Sequence, residues 1–374
     1  MAQGRRGCGC ALAALVVLLA AGGFVGVKFV KPWWDERRAK QLPPPSGKEL
    51  TVRVLDVGLG DSVLVVAPSG KTVLIDAGPP GAGKKVLDAL KRAGVSRLDF
   101  LIATHAHADH VGGADEVLKA VETGQVFYSG YPHTTREYDD FLKAVQQKNI
   151  KLEKAVPGTT LDLGDGALLR VLAPIEPFFE EKEMAAGGNL PNANSVVVRL
   201  DYGEFSMLLP GDAEEQTERR MTERGADFAA AGLKVAHHGS KYATSADFLK
   251  RGGFRWAVIS TSGDNRYGLP SADTLARLKA AGVKLYRTDM QGEITVSTRG
   301  QQDDVKVTPA RETKPGQDIW AGLPAIRDDS ARRGFIDFGD LPPAPRPTPE
   351  RANANANANR NANNRNANRP AGAR

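Results

Sequence analysis

Cysteine is almost absent from this chain of 374 residues, and so is a strong excess of charge of one sign. The two cysteines, Cys8 and Cys10, both lie at the start of the chain. This excludes a disulfide framework and a cysteine-based zinc site from the part of the chain that can fold. The net charge is +6, but residues 351–374 hold five arginines and no acid, which leaves only +1 for the rest. Any binding of a polyanion by the folded part must therefore be local.

One long hydrophobic run is present, near the N-terminus. Residues 7–27 carry no charge, are flanked by basic residues and are long enough to span a bilayer as a helix. We predict a transmembrane signal anchor over 1–30, with a signal peptide cleaved near 20–22 as the alternative. Paired arginines in a very short N-terminal flank favour export, whereas the basic residues after the run favour a cytoplasmic domain. We predict a single span in a bacterial plasma membrane, with the folded domain on the extracytoplasmic side.

The rest of the chain divides into three segments. Residues 31–48 are charged and rich in proline, which predicts a stiff tether. Residues 49–308 alternate short β-type runs with helices, without strict βαβ order, which predicts an α+β domain. Residues 309–374 are rich in Pro, Arg and Asn and end in an Ala-Asn repeat. Such a segment buries too little apolar surface to offset its ordering entropy, so we predict a disordered tail.

Hydrophobic periodicity and turn residues predict the elements of the folded domain. The predicted strands are 50–57, 62–67, 72–76, 98–103, 125–129, 151–156, 167–172, 195–201, 204–209, 233–236, 255–260, 284–286 and 292–297. The predicted helices are 84–93, 114–121, 136–147, 213–224, 244–250 and 272–281.

Half of the six histidines of the chain lie close together, directly after the predicted strand 98–103. In an extended segment, residues i and i+2 point to the same side. His105 and His107 can therefore reach one ion, Asp109 continues their register, and His110 points the other way, toward a second ion. Imidazole and carboxylate are ligands of zinc and similar divalent metals. The cluster predicts a metal site, whereas a single histidine would more often be a satisfied core residue.

Further motifs accompany this cluster along residues 50–298. They are Leu55–Ser62 (LDVGLGDS), Leu74–Gly78 (LIDAG), Asn192–Ser195 (NANS), Leu209–Asp212 (LPGD), His237–Lys241 (HHGSK), Asn265–Gly268 (NRYG) and Arg287–Asp289 (RTD). Together with the histidine cluster and its Gly112-Gly113, they resemble the metallo-β-lactamase superfamily. Within it, the chain is most similar to the ComEC-type domain of competence DNA-uptake proteins. The resemblance implies an αββα sandwich with two divalent metals at the rim of strand ends.

The resemblance also implies a role for each motif residue. His105 and His107 would hold the first metal, Asp109, His110 and His237 the second, and Asp212 would bridge the two. Asp109 and Asp212 would orient a metal-bridging hydroxide, and His238 would protonate the leaving group or contact phosphate oxygens. The residues expected to bind substrate are Ser240, Lys241, Asn265 and Tyr267.

Asp76, Asn192 and Asn194 are expected to support the ligands from behind, although Asp76 is equally compatible with a plain turn. The two asparagines stand where many superfamily members place a third histidine for the first metal. Zn²⁺ is the expected metal. Mn²⁺ is the alternative, because a first site that lacks an imidazole suits an ion that prefers oxygen ligands. Leu269 replaces a histidine usual in related sequences, and His133 is predicted to lie in a surface loop.

Three functions are compatible with this pattern. The first is a membrane-anchored, metal-dependent hydrolase of phosphodiesters such as DNA or nucleotides. The second is an ester, thioester or lactam hydrolase of the same fold, because the fold supports many chemistries. The third is a non-catalytic metal- and DNA-binding module of an uptake system.

Overall fold

The structure is a computed structural model that describes residues 44–184 and 188–322. The predicted membrane span over 1–30, the tether up to residue 43 and the tail from 323 onward lie outside these residues. Within the described ranges, none of the helices is both long and apolar enough to span a membrane.

Two β-sheets form the centre of the fold, with strands numbered in chain order. The first sheet contains β1 (Leu50–Val54), β2 (Val63–Val66), β3 (Thr72–Ile75), β4 (Arg97–Ala103), β5 (Glu122–Tyr128), β6 (Lys151–Lys154), β14 (Ile294–Thr298) and β15 (Lys306–Pro309). Its order is β15-β14-β1-β2-β3-β4-β5-β6, and pairing is parallel from β3 to β6 and antiparallel elsewhere.

The second sheet contains β7 (Thr160–Gly164), β8 (Ala167–Ala173), β9 (Val197–Tyr202), β10 (Phe205–Leu209), β11 (Gly232–Lys234), β12 (Trp256–Ile259) and β13 (Lys284–Arg287). Its order is β13-β12-β11-β10-β9-β8-β7. The strands from β10 to β13 are parallel, so the loops after their carboxyl ends open at one edge of the sheet.

Helices cover the outer face of each sheet. They are α1 (Gly83–Arg92), α2 (Ala108–Val111), α3 (Ala114–Ala120), α4 (Arg136–Gln147), α5 (Leu190–Ala193), α6 (Glu215–Glu223), α7 (Ala246–Gly252), α8 (Ala272–Ala280) and α9 (Thr288–Gln291). A short 3₁₀ helix spans Glu181–Glu183, and a tight turn spans Ala236–Gly239. α1, α3 and α4 pack on the first sheet, and α6, α7 and α8 pack on the second.

Strand alternation divides the apolar residues between the layers, as β3 illustrates. Val73 and Ile75 face the core between the two sheets, whereas Leu74 packs under the helices of the first sheet. Because both faces of the strand are covered, β3 is buried along its whole length. The result is the αββα sandwich of the metallo-β-lactamase fold, which confirms the predicted fold class for the described residues.

Two strands, β7 and β15, are absent from the elements predicted by sequence, and both are edge strands of their sheets. Only part of each edge strand is buried, which leaves a weak hydrophobic pattern in the sequence. The described residues extend to 322, past the predicted domain boundary at 308. Ile319 and Trp320 pack against the core of the second sheet, and Arg287 Nη1 donates to the carbonyl of Ile319 at 3.0 Å. This anchoring comes from a distant arginine, so the composition of the segment could not reveal it.

Candidate metal centre

The histidine motif lies in the loop after β4, where it meets the loops after β3, β10, β11 and β12. His105 and His107 belong to the extended part of this loop, but Asp109 and His110 lie on the helical turn α2. The predicted continuation of the extended register to Asp109 is therefore wrong. Because the turn changes the direction of the side chains, Asp109 and His110 face the same region.

Four side chains from three separate loops bring their ligand atoms within 4.8 Å of one another: Asp109, His110, Asp212 and His238. His110 Nε2 lies 3.3 Å from Asp212 Oδ1, and His238 Nε2 lies 3.1 Å from Asp109 Oδ2. Ligand atoms on a tetrahedral ion with bonds of about 2.1 Å are about 3.4 Å apart. His110 Nε2 and Asp212 Oδ1 are buried and have no hydrogen-bond partner, so a divalent cation would satisfy both. The four side chains thus fit a metal.

His238, and not His237, occupies the position predicted for the histidine of the second metal. Both residues have a positive φ, 50° at His237 and 52° at His238, in the tight turn 236–239. His238 is buried, its Nδ1 donates to the carbonyl of Ser260 at 2.9 Å, and its Nε2 lies 3.4 Å from Asp212 Oδ2. The structure thus places His238 in the cluster where His237 was predicted, and the leaving-group role of His238 stays a prediction. The turn decides which of the two neighbours points inward.

The ligands predicted for the first metal also come together. His105 Nε2 and His107 Nδ1 lie 2.9 Å apart, and His105 Nε2 lies 4.0 Å from Asp212 Oδ2. Asp212 therefore has Oδ1 toward His110, whereas its Oδ2 lies near both His238 and His105. His237 Nε2 approaches the same Oδ2 at 3.9 Å.

Asp76 supports His110 from behind, as the resemblance implies. Its Oδ2 accepts a hydrogen bond from His110 Nδ1 at 2.8 Å and one from the Thr104 hydroxyl at 2.7 Å. Its Oδ1 accepts from the backbone N–H of Thr104 at 2.7 Å. Asp76 also has a φ of 58°, a conformation that aspartate tolerates better than most residues. The turn and the supporting role therefore coexist.

A buried ion pair lies behind His238, and the sequence motifs did not predict it. Lys234 and Asp61 are nearly inaccessible and form a direct ion pair, and Asp61 Oδ1 lies 3.5 Å from His238 Nδ1. Lys234 stands in the apolar strand β11, and a lysine in such a strand is the signal that could have indicated a buried partner. Gly60 brings this segment close to the motif, since a Cβ there would lie 2.3 Å from the carbonyl oxygen of Asp109.

Two of the four predicted substrate-binding residues have structural partners instead. The Asn265 amide donates to the carbonyl of Leu269 at 2.5 Å and accepts from its N–H at 3.0 Å, so it closes its own loop. Ser240 is buried, and its Oγ accepts from the N–H of Tyr242 at 3.3 Å. Lys241 and Tyr267 are exposed, Tyr267 to 47%. The predicted role of all four residues in substrate binding stays a prediction.

Asn192, Asn194 and His133 each lie in a different environment. Asn192 Nδ2 lies 3.2 Å from His237 Nε2, beside the metal centre. Asn194 instead accepts from the N–H of Phe179 at 2.9 Å and donates to the carbonyl of Leu190 at 2.9 Å, so it supports the loop and not a ligand. His133 is half-buried in the loop between β5 and α4, in agreement with the predicted surface loop, and its ring lies 5.7 Å from the His107 ring.

The buried histidines fall into two classes, those whose pKa is lowered by burial and those whose pKa is raised by nearby carboxylates. Burial lowers the pKa of His107 to about 4 and the pKa of His105 well below its usual value, so both rings are neutral at pH 7. Burial would also lower the pKa of His238, but Asp212 and Asp61 raise it to about 10. The Asp212 and Asp109 carboxylates likewise raise the pKa of His110 against the effect of burial. A divalent cation at this position would replace protons.

Known proteins share this combination of motifs. A model of the metallo-beta-lactamase superfamily matches residues 55–263. ComE operon protein 3 of Bacillus subtilis (strain 168) is 30% identical over 288 residues, which cover 72% of this chain and 36% of that protein. Competence protein ComA of Neisseria gonorrhoeae is 29% identical over 303 residues, covering 75% of this chain and 37% of that protein. Recombination protein 2 of Haemophilus influenzae is 28% identical over 277 residues, covering 73% and 31%. The chain thus spans about a third of the length of these curated relatives.

Proposed function

Because this chain belongs to the metallo-beta-lactamase superfamily, we propose that it is a metal-dependent hydrolase that cleaves phosphodiester bonds of nucleic acid. The observation that carries the proposal is the convergence of Asp109, His110, Asp212 and His238, with the unpartnered atoms on His110 and Asp212. Asp212 lies between this cluster and the His105–His107 pair, and a carboxylate with imidazoles on both sides suits two ions.

The residues around such a centre would have separate roles. When bound, a pair of divalent ions lowers the pKa of a coordinated water and stabilises charge on phosphate oxygens. Asp109 is the partly exposed carboxylate of the cluster, with 27% of its side chain accessible, and so faces the substrate side. Lys241 is exposed on the loop that carries His238, where its charge is available to a phosphate.

Nucleic acid is the substrate class that the relatives favour. The names of two of these proteins, competence protein ComA and recombination protein 2, refer to competence and recombination, and we propose the same setting for this chain. The N-terminal run would anchor the domain to the membrane, with the domain on the extracytoplasmic side. Zn²⁺ is the metal that we propose, with Mn²⁺ as the alternative.

The test is an assay panel on the full chain purified in detergent. Single-stranded DNA, a thioester and the β-lactam nitrocefin are offered with Zn²⁺ or Mn²⁺, and Asp212→Asn is the matched inactive variant. We expect DNA cleavage that chelation abolishes, metal restores and the variant lacks. Turnover of nitrocefin or the thioester without DNA cleavage would identify the second hydrolase class. Full metal occupancy without turnover of any substrate would indicate a non-catalytic module.

A further inference from the structure

We propose that Tyr131 and Phe178 form a stacking platform for an unpaired base of single-stranded nucleic acid, with Lys154 beside it to bind the adjoining phosphate. The inference rests on the proposed function, because it names the form of nucleic acid that reaches the metal centre. The three residues lie outside every sequence motif described above.

The stacking platform lies on the same rim as the metal centre. β4, β5 and β6 run parallel, so their carboxyl ends meet at one edge of the first sheet. The histidine motif follows β4, Tyr131 follows β5, and Lys154 is the last residue of β6. Neighbouring strands are about 4.8 Å apart, so Lys154 lies two strand spacings, or about 10 Å, along the rim from the motif. A strand of nucleic acid held at the metal centre can cover this distance, whereas a small phosphodiester cannot.

The loop that carries Tyr131 is attached to the histidine motif. The Thr135 hydroxyl donates to the carbonyl of Ala106, in the middle of the motif, at 3.4 Å. The His133 ring lies 5.7 Å from the His107 ring, at an angle of 80°. Tyr131 comes two residues before His133, so the stacking platform lies beside the predicted ligands of the first metal.

Phe178 is presented by a loop of the second sheet that is fixed from behind. The loop follows β8, and Arg220 Nη1 donates to the carbonyl of Pro177 at 2.6 Å. Phe179 is buried, its N–H donates to Asn194 Oδ1 at 2.9 Å, and the Arg220 guanidinium lies 3.4 Å from the centroid of its ring. Because Phe179 is held in the interior, its neighbour Phe178 stays at the surface, half-buried.

The two rings have the geometry and the exposure of a stacking site. The centroids of Tyr131 and Phe178 lie 5.5 Å apart, and the ring planes form an angle of 82°. In such an edge-to-face pair, the ring that directs its edge at the other keeps both of its own faces free of that partner. Both side chains are half-buried, and neither belongs to the three hydrophobic cores of the described part of the chain. The domain thus exposes aromatic surface that its core packing does not use.

Lys154 supplies positive charge beside the rings. Its side chain is exposed, and its Nζ lies 6.0 Å from the centroid of the Phe178 ring. Its stem packs against Gly130, where a Cβ would lie 2.8 Å from Lys154 Cδ. Burial and the charge of the nearby Glu181 raise the pKa of Tyr131. Because Glu181 repels a phosphate and Lys154 attracts one, we expect the base to lie against the rings and the phosphate to face Lys154.

An unpaired base is the ligand that this arrangement fits. Every base has a π-face, and stacking on aromatic side chains beside basic residues is how proteins bind single strands without sequence preference. In a duplex the bases are stacked on one another, so their faces are not accessible to Tyr131 and Phe178. We therefore expect the stacking platform to select single strands over duplexes.

Fluorescence anisotropy of the full chain in detergent tests the stacking platform, with EDTA present to prevent cleavage and at one salt concentration. The probes are oligothymidylate, an abasic strand of the same length and a duplex of the same length. Wild type should bind oligothymidylate about 5–100-fold more tightly than the abasic strand, the factor that stacking of one base contributes.

Matched variants separate the aromatic faces from apolar bulk. Tyr131→Leu and Phe178→Leu should each lose about fivefold or more in affinity for oligothymidylate and keep wild-type affinity for the abasic strand. Tyr131→Phe and Phe178→Tyr keep a ring and should bind both probes as wild type does. Thermal unfolding checks that each variant is folded.

The lysine is tested in the same way. Lys154→Gln should weaken binding of oligothymidylate and of the abasic strand alike, because it removes a phosphate contact. Lys306→Gln is the control, since Lys306 is an exposed lysine of β15 at the opposite edge of the same sheet. Its replacement should change neither affinity.

Equal affinity of the wild type for oligothymidylate and the abasic strand would overturn the proposal. So would a leucine variant with wild-type affinity for oligothymidylate, or a duplex that binds as tightly as the single strand. These measurements do not depend on turnover. A wild type that binds through the stacking platform but hydrolyses no phosphodiester would refute the proposed function and leave the stacking platform intact. Cleavage of single-stranded DNA with an unchanged KM in both leucine variants would do the reverse.

Discussion

Replacing Asp76 with asparagine changes one atom at a position that touches no substrate and yet controls a ligand. In the wild type, the Asp76 carboxylate accepts the Nδ1 proton of His110 at 2.8 Å, so Nε2 is the nitrogen that a metal can bind once its proton is displaced. The introduced asparagine would keep its Oδ1 as the acceptor for the Thr104 N–H, so its NH₂ group would face His110 Nδ1. The histidine would respond by moving its proton to Nε2, where it blocks coordination.

The expected loss follows from this change of tautomer. Loss of an outer partner of a metal ligand typically costs 10–100-fold in affinity, which is about 1.4–2.7 kcal/mol. The fold should persist, because asparagine tolerates the φ of 58° at this position as well as aspartate does. We therefore expect weaker binding of the second metal with little change in thermal stability.

The assay is a competition titration with a chelating indicator, together with thermal unfolding of the metal-free chain. Asp56→Asn is the control, because Asp56 is a partly exposed aspartate in the loop after β1, away from His110. Wild-type affinity for both ions in Asp76→Asn would refute the reasoning, and so would a lower affinity in the control. A large loss of thermal stability would show that Asp76 acts on the fold rather than on His110.

Buried charges give three further predictions. Lys234→Met leaves the buried Asp61 without a counter-charge, so urea unfolding should show a free energy of unfolding lower by about 3–5 kcal/mol. The double variant Lys234→Met/Asp61→Asn should lose less stability than Lys234→Met alone, and additive losses would contradict the pairing. A pKa of about 10 keeps His238 protonated in the metal-free chain, so metal binding must release that proton. Metal affinity should therefore rise at least tenfold per pH unit from pH 6 to 8, and an affinity that does not change with pH would contradict this prediction. Burial raises the pKa of Glu218 from 4.5 to about 7, so the folded chain holds a proton that the unfolded chain releases. The contribution of Glu218 to the free energy of unfolding should therefore fall by at most about 3 kcal/mol between pH 5 and 8, and Glu218→Gln should reduce the pH dependence by that amount.

The fold was largely predictable because its elements carry local signals. The buried strand β3 is almost entirely apolar, β4 ends in the apolar run 100–103, and helices such as α4 have an apolar stripe. The edge strands β7 and β15 were missed because only part of an edge strand is buried. The segment up to residue 322 was missed because its anchor, Arg287, lies more than 30 residues away along the chain.

The sequence by itself determined which residue types gather at the centre. The histidine motif places three potential ligands within a few positions, and the Gly-Asp motif after an apolar run predicts a carboxylate at a strand end. These are local features of the sequence, so they can be recognised without knowing how the rest of the chain folds. They were sufficient to predict a metal centre, whereas the bridging role of Asp212 was implied only by the resemblance to the superfamily.

Only the tertiary structure decided how the remaining side chains are used. His238 meets Asp109 across 129 positions of the chain, and the choice between His237 and His238 depends on the backbone of one tight turn. The Lys234–Asp61 pair likewise joins two strand ends from different sheets. Contacts of this kind exist only once the two sheets have packed and brought their strand-end loops to one rim, because no local pattern fixes the direction of a side chain in a loop.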